Sequence, residues 1–181
     1  PAIMRVEKIG EGTKKHLPIW AVKISDNPYI DEKEPAVLFN GVHHAKELMS
    51  AEVCLYLIEY LCENYYRKRE VRHWVDEAEI WIIPVLNPDG YYLVMDSKNS
   101  PKFWRKNLRD NNGNGIFEPE RDGVDLNRNY DYNWGEDSDG DPRSWHYRGP
   151  YPFSERETQA MRDLTLREKF VFNLDFHSYG E

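Results

Sequence analysis

The sequence predicts an α/β fold: one mixed, largely parallel sheet flanked by helices. Three observations predict it. Short, continuously apolar runs recur at residues 35–40, 79–86 and 170–176, as strands covered on both faces do. Segments of helical periodicity lie between them. The chain opens on two further strand-like runs separated by Gly-Glu-Gly at 10–12, an antiparallel hairpin that makes the sheet mixed.

In chain order, Met4 to Ile9 and Leu17 to Ser25 are the hairpin strands, and Asp26-Asn27-Pro28 ends the second. Pro35 to Asn40 is the first covered strand and delivers His43 and His44 at its C-terminal end. From Glu47 to about Arg67, the residues Leu48, Ala51, Leu55, Ile58 and Leu61 recur at helical spacing, with Val53, Leu57 and Tyr60 widening the stripe. Glu79 to Leu86 is the next strand, stopped by the turn chemistry of Asn87-Pro88-Asp89-Gly90. From there to about Pro152 the sequence is rich in Asn, Asp, Gly and aromatic residues and has little periodicity. A loop region that long inside one domain is usually functional. Ser154, with Glu157 three residues on, reads as a capping box for a helix running to about Lys169, and Phe170 to Phe176 is the last strand. No repeat or linker divides the chain, so residues 1–181 form one domain.

Composition narrows the partners. The net charge of −8 disfavours nucleic acid and anionic membranes, and no apolar run approaches membrane-spanning length. Small or peptidic partners remain. Cys54 and Cys62 lie on one predicted helix with about 12 Å of rise between them, which is beyond disulfide reach, so both read as buried thiols.

The best metal-site candidate is Asn40-Gly41-Val42-His43-His44-Ala45-Lys46-Glu47, where a strand gives way to a helix. An imidazole and a carboxylate three residues apart at a helix start project from one face, and a third ligand is offered by His177 in Phe176-His177-Ser178-Tyr179. Two histidines and one glutamate form the catalytic kind of zinc site, with a fourth position open to water. His43 is a rival ligand, because its four-residue spacing to Glu47 also suits a helix.

Three further segments lie between these ligands: Asn87-Pro88-Asp89-Gly90-Tyr91, Phe103-Trp104-Arg105-Lys106-Asn107 and Asp125-Leu126-Asn127-Arg128-Asn129-Tyr130. With His-Ala-Lys-Glu before them and His-Ser-Tyr after them, the chain resembles the funnelin-type zinc metallocarboxypeptidases, the family of carboxypeptidases A, B and T. Carboxypeptidase A is itself a standard example of a His, His, Glu zinc site. The resemblance implies that His44, Glu47 and His177 bind Zn2+. It implies that Arg105 polarises the scissile carbonyl, that Asn127 and Arg128 grip the terminal carboxylate of the substrate, and that Asp125 holds a ligand histidine in its metal-binding tautomer.

Two departures from the family stand out. Lys46 occupies a position where the family commonly has Arg. The family also continues beyond His-Ser-Tyr through strands that carry a closing tyrosine, a specificity residue and the glutamate general base. The expectation is therefore a carboxypeptidase-like domain incomplete at its C-terminal end, impaired by itself, with an exposed sheet edge. Glu181 sits at a free end, and Glu155 and Glu157 read as helix-start residues, so none of them replaces the base.

Asp110, Asn112 and Asn114, with Gly115 sixth and then the Ile116 carbonyl, Glu118 and Glu120, match the first half of an EF-hand loop and form a candidate Ca2+ site. Arg121 at position twelve and the lack of flanking helices argue against a full EF-hand. Asp137, Asp139 and Asp141 read as a solvated acidic loop, and His16, His73 and His146 as surface or loop residues.

The function implied is removal of C-terminal residues from peptides or proteins by metal-activated water, in an extracellular or periplasmic setting by family analogy. Two alternatives use the same residues, hydrolysis of peptidoglycan stem peptides and non-catalytic capture of peptide C-termini on zinc; a third is a calcium-stabilised structural domain with no bound zinc.

Overall fold

The structure is a computed structural model describing residues 2–96 and 101–178. In chain order the elements are β1 (Met4–Glu11), β2 (Pro18–Ile24), β3 (Ala36–Gly41), α1 (Leu48–Asn64), α2 (Arg69–Asp76), β4 (Glu79–Ile83), α3 (Pro88–Met95), β5 (Trp134–Asp137), α4 (Arg156–Glu168) and β6 (Phe172–Phe176). Five strands form one sheet in the order β1-β2-β4-β3-β6. β1–β2 and β2–β4 pair antiparallel, whereas β3 lies parallel to both β4 and β6. The expected mixed sheet is present, divided evenly between the two kinds of pairing. Among the described residues no helix is long and apolar enough to cross a membrane.

Strand alternation builds two cores. Leu38, Trp81 and Ile83 join Ile19 and Ala21 against Ala160, Met161 and Leu164 of α4. One residue out of step, Ile80 and Ile82 join Val22 and Ile24 against Cys54 and Leu61 of α1 and Val71 and Val75 of α2. A smaller cluster packs Val94 of α3 with Trp104 and Leu108 against Ala45, in the turn that follows β3. That third cluster positions the arginine-bearing segment beside the histidines.

The apolar stripe expected along the first long helix is only partly right. Leu55 and Val53 are exposed, at 50% and 37%, while Ser50, Ala51 and Cys54 face inward. The cause is close approach, since a Cβ on Gly41 would lie 2.7 Å from the Ser50 carbonyl oxygen. α1 therefore meets the sheet through its small residues and turns larger aliphatics outward. Cys54 and Cys62 are free thiols, as expected, but only Cys54 is buried and Cys62 is half-buried.

Three local expectations are corrected. β1 runs on to Glu11, and the chain reverses at 12–17 rather than at Gly10–Gly12. Asp89 stabilises that later reversal by accepting the N–H groups of Lys14 and Lys15 at 2.7 and 2.6 Å. β4 ends at Ile83 rather than Leu86, and Asn87-Pro88-Asp89-Gly90 starts α3: the Asn87 side chain accepts from the Gly90 N–H at 3.0 Å, with proline in the first turn. The capping box at Ser154 does not form. The α4 N-cap is Glu155, the Ser154 hydroxyl donates to Glu155 Oε1 at 2.7 Å, and Glu157 is drawn away to Thr13.

Glu157 accepts from the Thr13 N–H at 2.9 Å and from its hydroxyl at 2.6 Å. Beside it, the fully buried Glu155 accepts from Asn107 at 2.8 Å and Arg109 at 3.0 Å. This polar knot ties the β1–β2 turn and the 107–109 segment to α4. Burial pushes the Glu157 carboxyl up to about 7 from 4.5, against the opposing hydrogen bond from Thr13. Between those two values the folded chain keeps a proton that the unfolded chain has lost, so stability falls as pH rises through that window and levels off above about 7. The shift corresponds to about 3 kcal/mol. Denaturant unfolding at pH 5 and pH 8 should show this loss in the wild type. It should be clearly smaller in Glu157→Gln, whose amide still accepts from the Thr13 N–H. Equal pH dependence in the two proteins would refute the assignment.

Candidate metal centre

The sheet places the ligands side by side. β3 and β6 are parallel neighbours, so the segments leaving their C-terminal ends emerge together, and Asn40 and Gly41 pair in register with Asp175 and Phe176. Ligand sites in open α/β sheets form at such strand ends.

After β3 the chain turns sharply at Val42, which is buried and adopts φ +56°. A left-handed β-branched residue costs about 1–3 kcal/mol and persists only when its surroundings dictate it. Here the Ser50 hydroxyl accepts the Val42 N–H at 2.9 Å, and the Asn87 N–H donates to the Val42 carbonyl at 3.0 Å. The next turn closes through the Glu47 N–H onto the His44 carbonyl at 3.1 Å. Glu47 stands at the N-cap of α1 but does not cap it, because its carboxylate faces the histidines.

His44 Nδ1 lies 2.8 Å from Glu47 Oε1, and His177 Nδ1 lies 2.8 Å from Glu47 Oε2. One donor atom from each of the three residues falls within a 4.8 Å group. The two outer nitrogens face acids: His44 Nε2 is 3.2 Å from Asp125 Oδ1, and His177 Nε2 is 2.8 Å from Asp175 Oδ2. A carboxylate accepts only, so each Nε2 keeps its proton against its outer acid, and each Nδ1, which faces Glu47, is the nitrogen whose lone pair a cation lying between ring and carboxylate would take. The donor set fits zinc.

Electrostatics agree with the geometry. Burial raises the Glu47 carboxyl, but hydrogen bonds from His177 and His44 overcome it and bring the group down to about 2. Burial likewise opposes ionisation of Asp125, which His44 and Arg105 nonetheless hold at about 2. Hydrogen bonds to Asp175 and Glu47 push the His177 imidazole up to about 10. The centre thus attracts positive charge, and a metal ion held there would take the place of the His177 proton.

His43, the rival ligand, is turned away from Glu47. Its Nδ1 lies 2.8 Å from Asp175 Oδ2 and its Nε2 2.7 Å from the Tyr130 hydroxyl. The sequence assigns no role to Asp175, Tyr130 or Asn40, although Asp175 stands two residues before His177. His146, read as a loop residue, comes within 3.6 Å of Asp125.

The expected substrate-facing residues gather at the same centre. Arg105 donates through Nε to Asp125 Oδ2 at 2.9 Å, and its Nη2 is 2.9 Å from the same oxygen, so one buried acid joins Arg105 to His44. The Ala45 N–H donates to the Arg105 carbonyl at 3.0 Å, which fixes the two segments together. Asp125 also accepts the Asn127 N–H at 3.1 Å and opens a 3-10 turn over Leu126–Arg128. The Asn127 amide lies 3.3 Å from His177 Nε2. Arg128 donates to the carbonyls of Asp137 and Asn127, both at 2.9 Å, and among the described residues it forms no ion pair. Asn127 and Arg128 line a polar hollow of about 260 Å³. A larger apolar hollow of about 420 Å³, between α1, α2 and the sheet, contains none of these residues.

The candidate calcium loop closes on itself. Asp110 accepts from the N–H groups of Gly113 and Gly115, both at 2.7 Å, and the Asn112 and Asn114 side-chain oxygens accept from Asn114 and Ile116. Glu118 takes the Asn112 and Asn114 amides at 2.6 and 2.9 Å, and Glu120 is exposed. Among the described residues, the acidic and histidine groups that converge within 4.8 Å include none of these side chains. Tyr179 and Glu181 lie outside the described residues.

The sequence profile of the zinc carboxypeptidase family matches residues 1–181. The chain is 39% identical over 137 residues to a zinc carboxypeptidase of Saccharothrix mutabilis subsp. capreolus, covering 75% of this chain and 29% of the relative. It is 34% identical over 153 residues to metallocarboxypeptidase A of Trichophyton rubrum, covering 82% and 34%. The chain thus spans about a third of the length of these curated relatives. Among solved structures, carboxypeptidase A from Helicoverpa armigera superposes with a TM-score of 0.85 at 28% identity, covering 99% of this chain and 42% of that one. Thrombin-activatable fibrinolysis inhibitor gives 0.84 at 27% identity, covering 99% and 43%. With the converging donors on one centre and a profile match along its whole length, the chain belongs to the zinc carboxypeptidase family.

Proposed function

We propose that the full-length protein is a zinc-dependent exopeptidase that removes C-terminal residues from peptides, and that this chain carries its metal-binding and carboxylate-binding residues. The observation that carries the reading is the convergence of His44 Nδ1, His177 Nδ1 and the Glu47 carboxylate, with an acid behind each histidine. His44, Glu47 and His177 hold the ion. When bound there, zinc supplies Lewis acidity and an activated water.

The remaining roles follow from what each side chain is tied to. Arg105 is fixed by Asp125, so its guanidinium stabilises negative charge developing on the scissile carbonyl oxygen. Arg128 is held by two neutral carbonyls, which orient its guanidinium without cancelling its charge. With Asn127 it offers a planar fork to a free terminal carboxylate. The carboxylates at the centre, Glu47, Asp125 and Asp175, are each committed to histidines, so proton shuttling falls to a group outside the described residues. Zinc is the only ion in this proposal.

The test compares release of the terminal amino acid from a peptide and from its amidated twin. Only the free-acid peptide should be cut. Arg128→Ala should lower kcat/KM by roughly 10- to 100-fold, the worth of a hydrogen-bonded charge, mainly through KM. Equal cleavage of both peptides would contradict the assignment of Asn127 and Arg128.

A further inference from the structure

We infer that Asp175 is a positioning residue for the metal centre, fixing His177 as Asp125 fixes His44, and that His43, Asn40 and Tyr130 hold Asp175 in place. The inference rests on His44, Glu47 and His177 being the zinc ligands.

Geometry carries it. Asp175 lies at the end of β6, on the same face as His177 two residues later and opposite Asn40 in the β3–β6 register. Its Oδ1 accepts from the Asn40 amide at 2.7 Å. Its Oδ2 faces His43 Nδ1 and His177 Nε2, each at 2.8 Å. All three neighbours are donors and the carboxylate accepts from each, so its orientation is fully determined.

The hydrogen-bond directions run along the chain of groups. Asp175 can only accept, so His43 Nδ1 carries a proton toward it, and a neutral His43 then accepts at Nε2 from the Tyr130 hydroxyl, 2.7 Å away. Asp175 then draws the His177 proton to Nε2 and leaves Nδ1 for the ion. Asn40 and His43 are 0% and 3% exposed, and buried polar groups this far from water persist only when paired. The doubled histidine thus divides its work: His44 is the ligand, and His43 supports the acid behind the other ligand. A competing arrangement exists, because donor atoms of His43, Asp175 and His177 also fall within 4.8 Å and form a possible second cation site.

The test uses the full-length protein and two readouts independent of turnover: zinc affinity by chelator competition and the visible spectrum of the cobalt(II)-substituted form. Asp175→Asn should weaken zinc roughly 10- to 100-fold and shift the cobalt bands, as loss of a partner behind a ligand histidine does. His43→Gln should move both readouts in the same direction by less. The double variant should be no weaker than Asp175→Asn alone, because the two act through one contact. If His43→Gln does not fold, as judged by circular dichroism, Tyr130→Phe replaces it, with an expected loss of a few-fold. Wild-type affinity and spectrum in Asp175→Asn, with zinc lost in His177→Ala, would overturn this inference alone. A second equivalent of zinc in the wild type that disappears in His43→Gln would also overturn it, in favour of the competing site. Zinc retained by His177→Ala would overturn the ligand assignment and this inference with it.

Discussion

Alanine at His177 is expected to strip the protein of zinc. His177 is the member of the donor set that comes from β6, and only the parallel pairing of β6 with β3 brings it to His44 and Glu47. Without it, one imidazole and one carboxylate remain, too few to close a site that excludes competing water. The loss should exceed the roughly 10- to 100-fold that follows removal of an outer partner. Dialysed wild type should carry one equivalent of zinc and the variant essentially none. The fold should survive, because His177 follows the last strand residue and its side chain is 35% exposed, so circular dichroism should match wild type. Zinc retained at one equivalent would mean that the ion sits elsewhere.

Arg105→Ala is expected to lower kcat by about 10²–10³-fold, the usual result of removing a fixed donor to an oxyanion. KM should change less, since the contact strengthens as charge develops. Arg105→Lys should not rescue. Asp125 is fully buried, and the arginine meets it through Nε and Nη2 at once, a contact that a single ammonium cannot reproduce while also serving a substrate oxygen. The same geometry predicts a secondary weakening of zinc in Arg105→Ala, because Asp125 loses its cationic partner while still bonded to His44. Unchanged kcat in the alanine variant, measured alongside KM on one peptide, would remove Arg105 from the proposed mechanism.

Much of the centre was legible because its parts are local. The run at 35–40, the His44–Glu47 spacing and the strand leading to His177 are patterns a few residues long, and each marks a strand end. Spacing alone left the choice between His43 and His44 open, and only the family resemblance pointed to His44. The choice depends on the left-handed Val42, a residue type that gives no local sign of that conformation, and on the register of β6 against β3. Asp175 offered a signal in its two-residue spacing to His177, but an acid inside an apolar run carries no mark of its partner 132 residues earlier, His43.

Helices were misread where two signals competed. In α2 only Val71 and Val75 are buried, a seam too narrow to stand out from its charged neighbours. At α3 the turn chemistry of Asn87-Pro88 masked the helix that the same residues start. The loop at 110–120 carries a pattern with two uses: alternating oxygens are the pattern of a cation loop, and here they accept from backbone amides.

The most direct test of the central claim is anomalous diffraction at the zinc absorption edge from crystals of the zinc-loaded protein. A single peak among His44 Nδ1, His177 Nδ1 and the Glu47 carboxylate is the predicted result. A peak among His43, Asp175 and His177, or no peak at either place, would contradict the account.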